Sequence, residues 1–134
     1  MSTAKAETLP IRSAQDLVVV RQAVRTWSQS LGFGLVDQTK VVTAASELAR
    51  NTLDYGGGGQ VRLEQLEDGA RRGLRLVFED KGPGIADVEQ AMRDGYSSGR
   101  GMGLGLGGAK RLSHEFELHS RLGEGTRVTL TRWK

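Results

Sequence analysis

Apolar positions along this chain follow two periods, and the change from one to the other marks out its elements. Leu17, Val20, Val24, Trp27 and Leu31 recur at alternating three- and four-residue spacing, which lays one apolar stripe along a helix. Ser13 stands at its start as an N-cap with Asp16 in capping-box position, and Gly32 and Gly34 end it. A second helix is predicted over 36–53, with a small apolar seam of Val42, Ala45, Ala49 and Thr52. Beside it runs a polar seam of Lys40, Glu47, Asn51 and Asp54, and the glycines 56–59 stop the helix. The period then falls to two. Residues 60–67 and 73–80 read as strands around the turn Asp68-Gly69-Ala70, and 115–121 and 126–132 as strands around Gly123-Glu124-Gly125. Two short helices are expected between them, at 86–93 and 106–113, separated by a flexible stretch over 94–105. Residues 1–7 are polar and expected to form a flexible N-terminus, ahead of a short edge strand over 8–12.

The strand patterns decide the layering. Leu74, Leu76 and Phe78 alternate onto one face, as do Val128 and Leu130, while Arg127, Thr129 and Thr131 point the other way. Strands with one apolar and one polar face imply an α+β fold: a two-layer α/β sandwich whose mixed, mainly antiparallel sheet is covered by helices on one face. Residues 8–134 are expected to form a single domain.

Composition narrows the function classes. A chain of 134 residues buries about two-thirds of the surface it exposes when unfolded. The absence of cysteine excludes disulfides, thiolate zinc sites and a cysteine nucleophile. No apolar run reaches the roughly 18 residues that a bilayer requires, and the start of the chain lacks the apolar core of a signal peptide. A cytoplasmic address without a membrane partner is therefore expected. The net charge of +3 comes from scattered residues, and aromatics make up only 5%. That composition fits a solvated mixed-charge surface better than the basic stripe and stacking aromatics of a nucleic-acid reader. His114 and His119 read as ordinary surface or partly buried residues.

Glycine stands out, with 19 residues gathered in a few places, and three segments ask for a ligand. In Glu47-Leu48-Ala49-Arg50-Asn51, the carboxylate and the amide lie four apart and share a helix face. The amide oxygen of Asn51 suits Mg²⁺, and Glu47 is placed to polarise a hydroxyl or water aimed at a γ-phosphate. An exposed polar helix face would carry the same pair routinely. In Asp80-Lys81-Gly82-Pro83-Gly84, Asp80 is in phase with Leu74, Leu76 and Phe78 and so points to the core side, where a carboxylate needs a donor. An adenine amino group would serve; so would the local amides of a tight Asx turn. Lys81 reads as solvent-facing. The run from Gly99 to Gly108, directly before a helix, exposes successive backbone N–H groups as a phosphate cradle. It follows no buried strand, which argues against a dinucleotide-binding fingerprint, and it lacks the Gly-Lys-Ser/Thr ending of a P-loop.

Together these segments resemble the GHKL (Bergerat-fold) superfamily of gyrase, Hsp90, histidine kinases and MutL. Glu47 to Asn51 is similar to its N box, Asp80-x-Gly82-x-Gly84 to its G1 box, and Gly101-x-Gly103-x-Gly105 to its G2 box. Thr126 matches the threonine that completes the adenine pocket. The resemblance implies ATP and Mg²⁺ as ligands, with Asn51 on Mg²⁺, Asp80 on the adenine amino group and Glu47 as catalytic base. Gly82, Gly84, Gly101, Met102, Gly103, Leu104, Gly105 and Thr126 would line the nucleotide site, with Arg50 and Lys110 as further phosphate or partner contacts. The chain has no helical hairpin with a phosphoacceptor histidine, and it retains Glu47. Its segments look most like the RsbT-type switch-protein serine/threonine kinases of the anti-sigma factor kinase group. That resemblance implies phosphorylation of a STAS-domain antagonist protein in a stressosome-like stress response, with exchange to a downstream PP2C-type phosphatase. Alternatives are an anti-sigma factor that sequesters a sigma factor, and a nucleotide-gated binding module without transfer. A dimer or a larger complex is compatible with either class.

Overall fold

The computed structural model describes residues 1–85 and 105–134. The expected helix at 86–93 and the stretch 94–104, with Gly101, Met102, Gly103 and Leu104, lie outside the described residues. In chain order the elements are β1 (Ser2–Ile11), α1 (Ala14–Ser30), α2 (Leu35–Asp54), β2 (Gly59–Asp68), β3 (Arg71–Asp80), α3 (Gly105–Arg111), β4 (Glu115–Arg121) and β5 (Gly125–Trp133). The strands form one sheet in the order β1-β2-β3-β5-β4, and every pairing among the described residues is antiparallel.

The edge strand β1 begins at Ser2 rather than at Thr8. Its first residues carry no apolar alternation because they are exposed; backbone pairing with β2, from Ser2 opposite Glu67 to Ile11 opposite Gly59, is what makes them a strand. The start of α1 follows the capping-box reading with one change of partner. Ser13 accepts from the Asp16 amide at 3.4 Å, while the Asp16 carboxylate accepts from the amide of Arg12 at 2.8 Å. At its other end Gly32 takes φ +86°, and its amide and that of Phe33 return to the carbonyls of Gln29 and Ser28.

The helix-facing side of the sheet is built of cross-strand rows. Glu7, Leu63, Leu76, Leu130 and Phe116 stand side by side in one row, and Leu9, Val61, Phe78, Val128 and Leu118 in the next. Leu63, Leu76 and Leu130 are fully buried. On these rows rests the seam of α2, in which Val42, Ala45, Ala49 and Thr52 are buried as expected, together with Val41, Ala44 and Leu48. The small side chains let the helix lie close to the sheet. Val20, Val24 and Trp27 of α1 and Leu106 and Ala109 of α3 complete the core.

The opposite face is polar but not featureless. Glu64 is buried there between Arg62 (3.0 Å) and Arg75 (2.6 Å). Burial opposes its charge, yet the two guanidiniums hold its carboxyl below the usual range. Leu66, Gly73 and Trp133 align across β2, β3 and β5, and a side chain at Gly73 would run into the indole ring. The guanidinium of Arg71 lies 4.0 Å from the centroid of that ring, and the indole N–H of Trp133 donates to Glu115 at 2.6 Å.

The sheet is also tied to α2 by charge. Arg132, buried on the helix side, donates to Asp37 at 2.7 Å and to the carbonyl of Leu112 at 2.9 Å. The hydrogen bond from Arg132 holds the Asp37 carboxyl below its ordinary value of 3.8. A depressed carboxylate stabilises the fold fully above its unfolded pKa, and the gain is lost as pH falls through the folded value. Asp37→Asn is therefore expected to be less stable than the wild type at pH 7, with the gap closing below about pH 4 in urea titrations at stepped pH. Leu76→Ala, which empties the middle of the core row, should cost about 3 kcal/mol in the same measurement.

Candidate active site

The row beyond Leu9–Val61–Phe78–Val128–Leu118 changes character. It reads Ile11, Gly59, Asp80, Thr126 and Ser120, so the apolar face of the sheet ends in a carboxylate flanked by glycine on one side and two hydroxyls on the other. Strand register alone brings Asp80 and Thr126, far apart in sequence, next to each other.

Asp80 is half-buried on the helix side, as its phase predicts. One carboxylate oxygen accepts from the Gly82 amide at 2.9 Å, the tight turn foreseen as one of its two readings. Burial pushes its carboxyl above the ordinary value of 3.8, against the pull of the Gly82 and Thr126 amides. A carboxylate raised in this way gains from a further donor.

Glycines enclose this carboxylate because side chains would not fit. A Cβ on Gly56 would collide with the Asp80 side chain, one on Gly82 with the backbone of Gly56 at 2.7 Å, and one on Gly125 with the backbone carbonyl of Asp80. Gly84 and Gly125 also take φ +78° and +88°, the left-handed region that favours glycine. The run 56–59 stops the helix as its composition predicts, Gly57 and Gly58 serving that purpose with positive φ. Gly56 and Gly59 do something else. The first leaves room for Asp80 and the second for the backbone of Glu79. Nothing in the sequence pairs position 56 with position 80.

Glu47 and Asn51 are partly exposed on α2, one turn apart. The carbonyl of Asn51 accepts from the amides of Tyr55 (3.0 Å) and Gly56 (3.2 Å), so the end of α2 runs directly into the glycine that faces Asp80. Neither side chain forms a hydrogen bond among the described residues, which leaves the Asn51 amide oxygen available to a cation. No group of His, Asp or Glu that would hold a metal by itself occurs among the described residues. One amide oxygen suits Mg²⁺ that completes its shell with phosphates and water. Gly105 is the first residue of α3. Arg50 is partly exposed and Lys110 exposed.

Thr126 is held from behind. Its hydroxyl lies 2.8 Å from that of Ser120, which also meets the Gly125 carbonyl at 3.1 Å and accepts from the Ile85 amide at 2.8 Å. Gly123 donates to the Pro83 carbonyl at 2.7 Å, a second link between the turn after β3 and the β4–β5 turn. Ser120 was not singled out in the sequence, since its only signal is its position opposite Thr126. No helix among the described residues is long and apolar enough to cross a membrane.

The profile of histidine kinase-, DNA gyrase B-, and HSP90-like ATPases matches residues 36–134, and the chain belongs to that family. Within it, the chain is 47% identical over 123 residues to serine/threonine-protein kinase RsbT of Bacillus subtilis (strain 168), covering 92% of each. It is 26% identical to the anti-sigma F factor of Clostridium kluyveri, over 91% of this chain and 89% of that one. In fold it is similar to the RsbU and RsbW domains of a Mycobacterium tuberculosis protein (TM-score 0.63, 19% identity), with 98% of this chain covering 33% of that longer one. It is also similar to the SiaB–SiaC complex from Pseudomonas aeruginosa (TM-score 0.56, 16% identity, 98% and 91% covered).

Gly56→Ala tests the close approach at the carboxylate. Displacing Asp80 should weaken binding of a fluorescent ATP analogue by about tenfold or more, the worth of one charge-assisted hydrogen bond. Gly34→Ala, where nothing lies within 4 Å of the added methyl, should bind as the wild type does.

Proposed function

We propose that this chain transfers the γ-phosphate of ATP to a serine or threonine of a STAS-domain antagonist protein, as the kinase of a partner-switching stress response in the cytoplasm. The kinase class is carried by one observation: 47% identity to a serine/threonine-protein kinase along 92% of both chains. Likeness to the anti-sigma F factors is much weaker, at 26–27%. This favours a kinase that exchanges its phosphorylated antagonist for a downstream regulator, such as a PP2C-type phosphatase, over one that sequesters a sigma factor. The working unit is one domain over 8–134, joined by the earlier part of β1, acting alone, as a dimer or within a larger complex.

In this reading Asp80 accepts from the adenine amino group, Thr126 closes the base pocket, and the absence of side chains at Gly82 and Gly84 lets the nucleotide approach. The Asn51 amide oxygen would hold Mg²⁺, which when bound neutralises phosphate charge. The family's phosphate cradle corresponds to Gly101, Met102, Gly103, Leu104 and Gly105. Glu47 takes the proton of the incoming hydroxyl as its oxygen bonds to the γ-phosphorus and the bond to the ADP oxygen breaks. Phosphoryl transfer needs mainly positioning and charge neutralisation, so this short set is chemically sufficient.

With Mg-ATP and a cognate STAS protein, the wild type should label a serine or threonine. Asn51→Ala should not, and full transfer by that variant would remove Asn51 from the metal site. Asp80→Asn should lose ATP binding by about tenfold or more while unfolding at the same temperature. In the wild type, ATP affinity should fall on acidification at a pH above 3.8, since burial raises the Asp80 carboxyl and only its ionised form leaves both oxygens as acceptors.

A further inference from the structure

The end of the sheet away from Asp80 holds an open cleft of about 640 Å³, within the size range of small-molecule sites. It lies where β3 begins and β5 ends. Arg71, Trp133 and Lys134 line it, with Asp37 from the first turn of α2 and with His114 and Glu115 where β4 begins. About four turns of α2 separate Asp37 from Asn51, roughly 20 Å. None of the lining residues has a part in the proposed phosphoryl transfer.

The polar groups of the cleft divide by what they already hold. Both carboxylates are engaged: Asp37 accepts from Arg132 at 2.7 Å, and Glu115 accepts from the indole N–H of Trp133 at 2.6 Å. The cations are not. Arg71 rests on the Trp133 ring, and neither its guanidinium nor the Lys134 ammonium forms an ion pair or hydrogen bond among the described residues. A guanidinium stacked on an aromatic face keeps its N–H edge open to a bidentate anion. His114 adds another donor. Its Nδ1 accepts from the Trp133 amide at 2.8 Å, which only a nitrogen without hydrogen can do, so the neutral ring carries its proton on Nε2.

Arg132 tilts the balance further. Its side chain is only 9% exposed, it already neutralises Asp37, and its Nε finds no acceptor. Donors and positive charge are therefore in excess at this end of the molecule, and the excess faces an open space.

We propose that this cleft binds a small anion, taking phosphate or carboxylate oxygens between the Arg71 guanidinium, the Lys134 ammonium and the His114 Nε2–H. It is a second binding site, and it stands whether or not the Asp80 row holds a nucleotide base.

The test titrates the tryptophan emission of the wild type with sodium phosphate, sodium citrate and sodium chloride at constant ionic strength. Phosphate or citrate should give a saturable change with half-saturation at about 1 mM or below. Chloride should give none, and Trp133→Phe should be silent because the reporting ring is gone. A response to phosphate alone assigns the phosphate class, and one to citrate alone the carboxylate class. Arg71→Ala and Lys134→Ala should each weaken binding about tenfold, the worth of one charge-assisted hydrogen bond, and Arg71→Lys should fall between alanine and wild type. Isothermal titration calorimetry must give the same ranking, since removing Arg71 alters the emission of Trp133 by itself. Saturating Mg-ATP should leave the half-saturation unchanged. The proposal is overturned if neither anion gives a saturable response, if ATP competes with the anion, or if either alanine variant binds as tightly as the wild type.

Discussion

The structure depends first on the packing of the α2 seam against the apolar rows of the sheet. Ala44, Ala45 and Ala49 are almost wholly buried, and their small side chains set how near the helix comes to Leu76, Phe78 and Leu130. Residues one position off that seam cannot turn inward without displacing it. Glu47 and Asn51 are held at the rim for that reason, partly exposed beside a closed core. The same packing sets the end of α2 just ahead of Gly56, against which the Asp80 side chain lies. Side chains at the rim are therefore positioned by interdigitation beneath it, and small losses there would be felt as misplacement before they were felt as unfolding.

A second constraint is the sheet's alternation. Each apolar row meets the helices along its length, whereas the row at the end of the core is apolar only at Ile11. That last row carries a carboxylate, two hydroxyls and a glycine. Their arrangement follows from antiparallel register: three strands deliver one polar group each at the same height. A slip of one residue in β5 would send Thr126 to the opposite face and replace it with Arg127 or Gly125. Gly123 and Gly125, both with positive φ, pin the turn that prevents such a slip.

Much of this was legible in the residues. The periods placed α1, α2 and the four later strands, the phase of Asp80 placed its side chain toward the helices, and the order of the glycine-rich segments pointed to the family. What was hidden had one cause: it depends on which strands are neighbours. β1 is polar and exposed through most of its length, so its first residues carry no pattern, and only the edge of β2 makes them a strand. Gly56 looked like one more helix breaker because its partner is Asp80, and Ser120 looked like any polar strand residue because its partners are Thr126 and Ile85. Local signals name elements; sites assembled across a sheet become visible only once the order of strands is known.

The two tryptophans lie on opposite sides of the sheet. Trp27 is in the core beneath β1, with the Lys5 ammonium 4.5 Å from its ring centroid, while Trp133 lies over Gly73 on the other face under Arg71. The chain thus carries two natural fluorophores that look in opposite directions. Emission from one follows the helical layer, and emission from the other follows whatever meets the exposed side of the strands. Replacing either ring with phenylalanine would leave a single-colour reporter for one layer, so events at the two faces can be watched separately without attaching a dye.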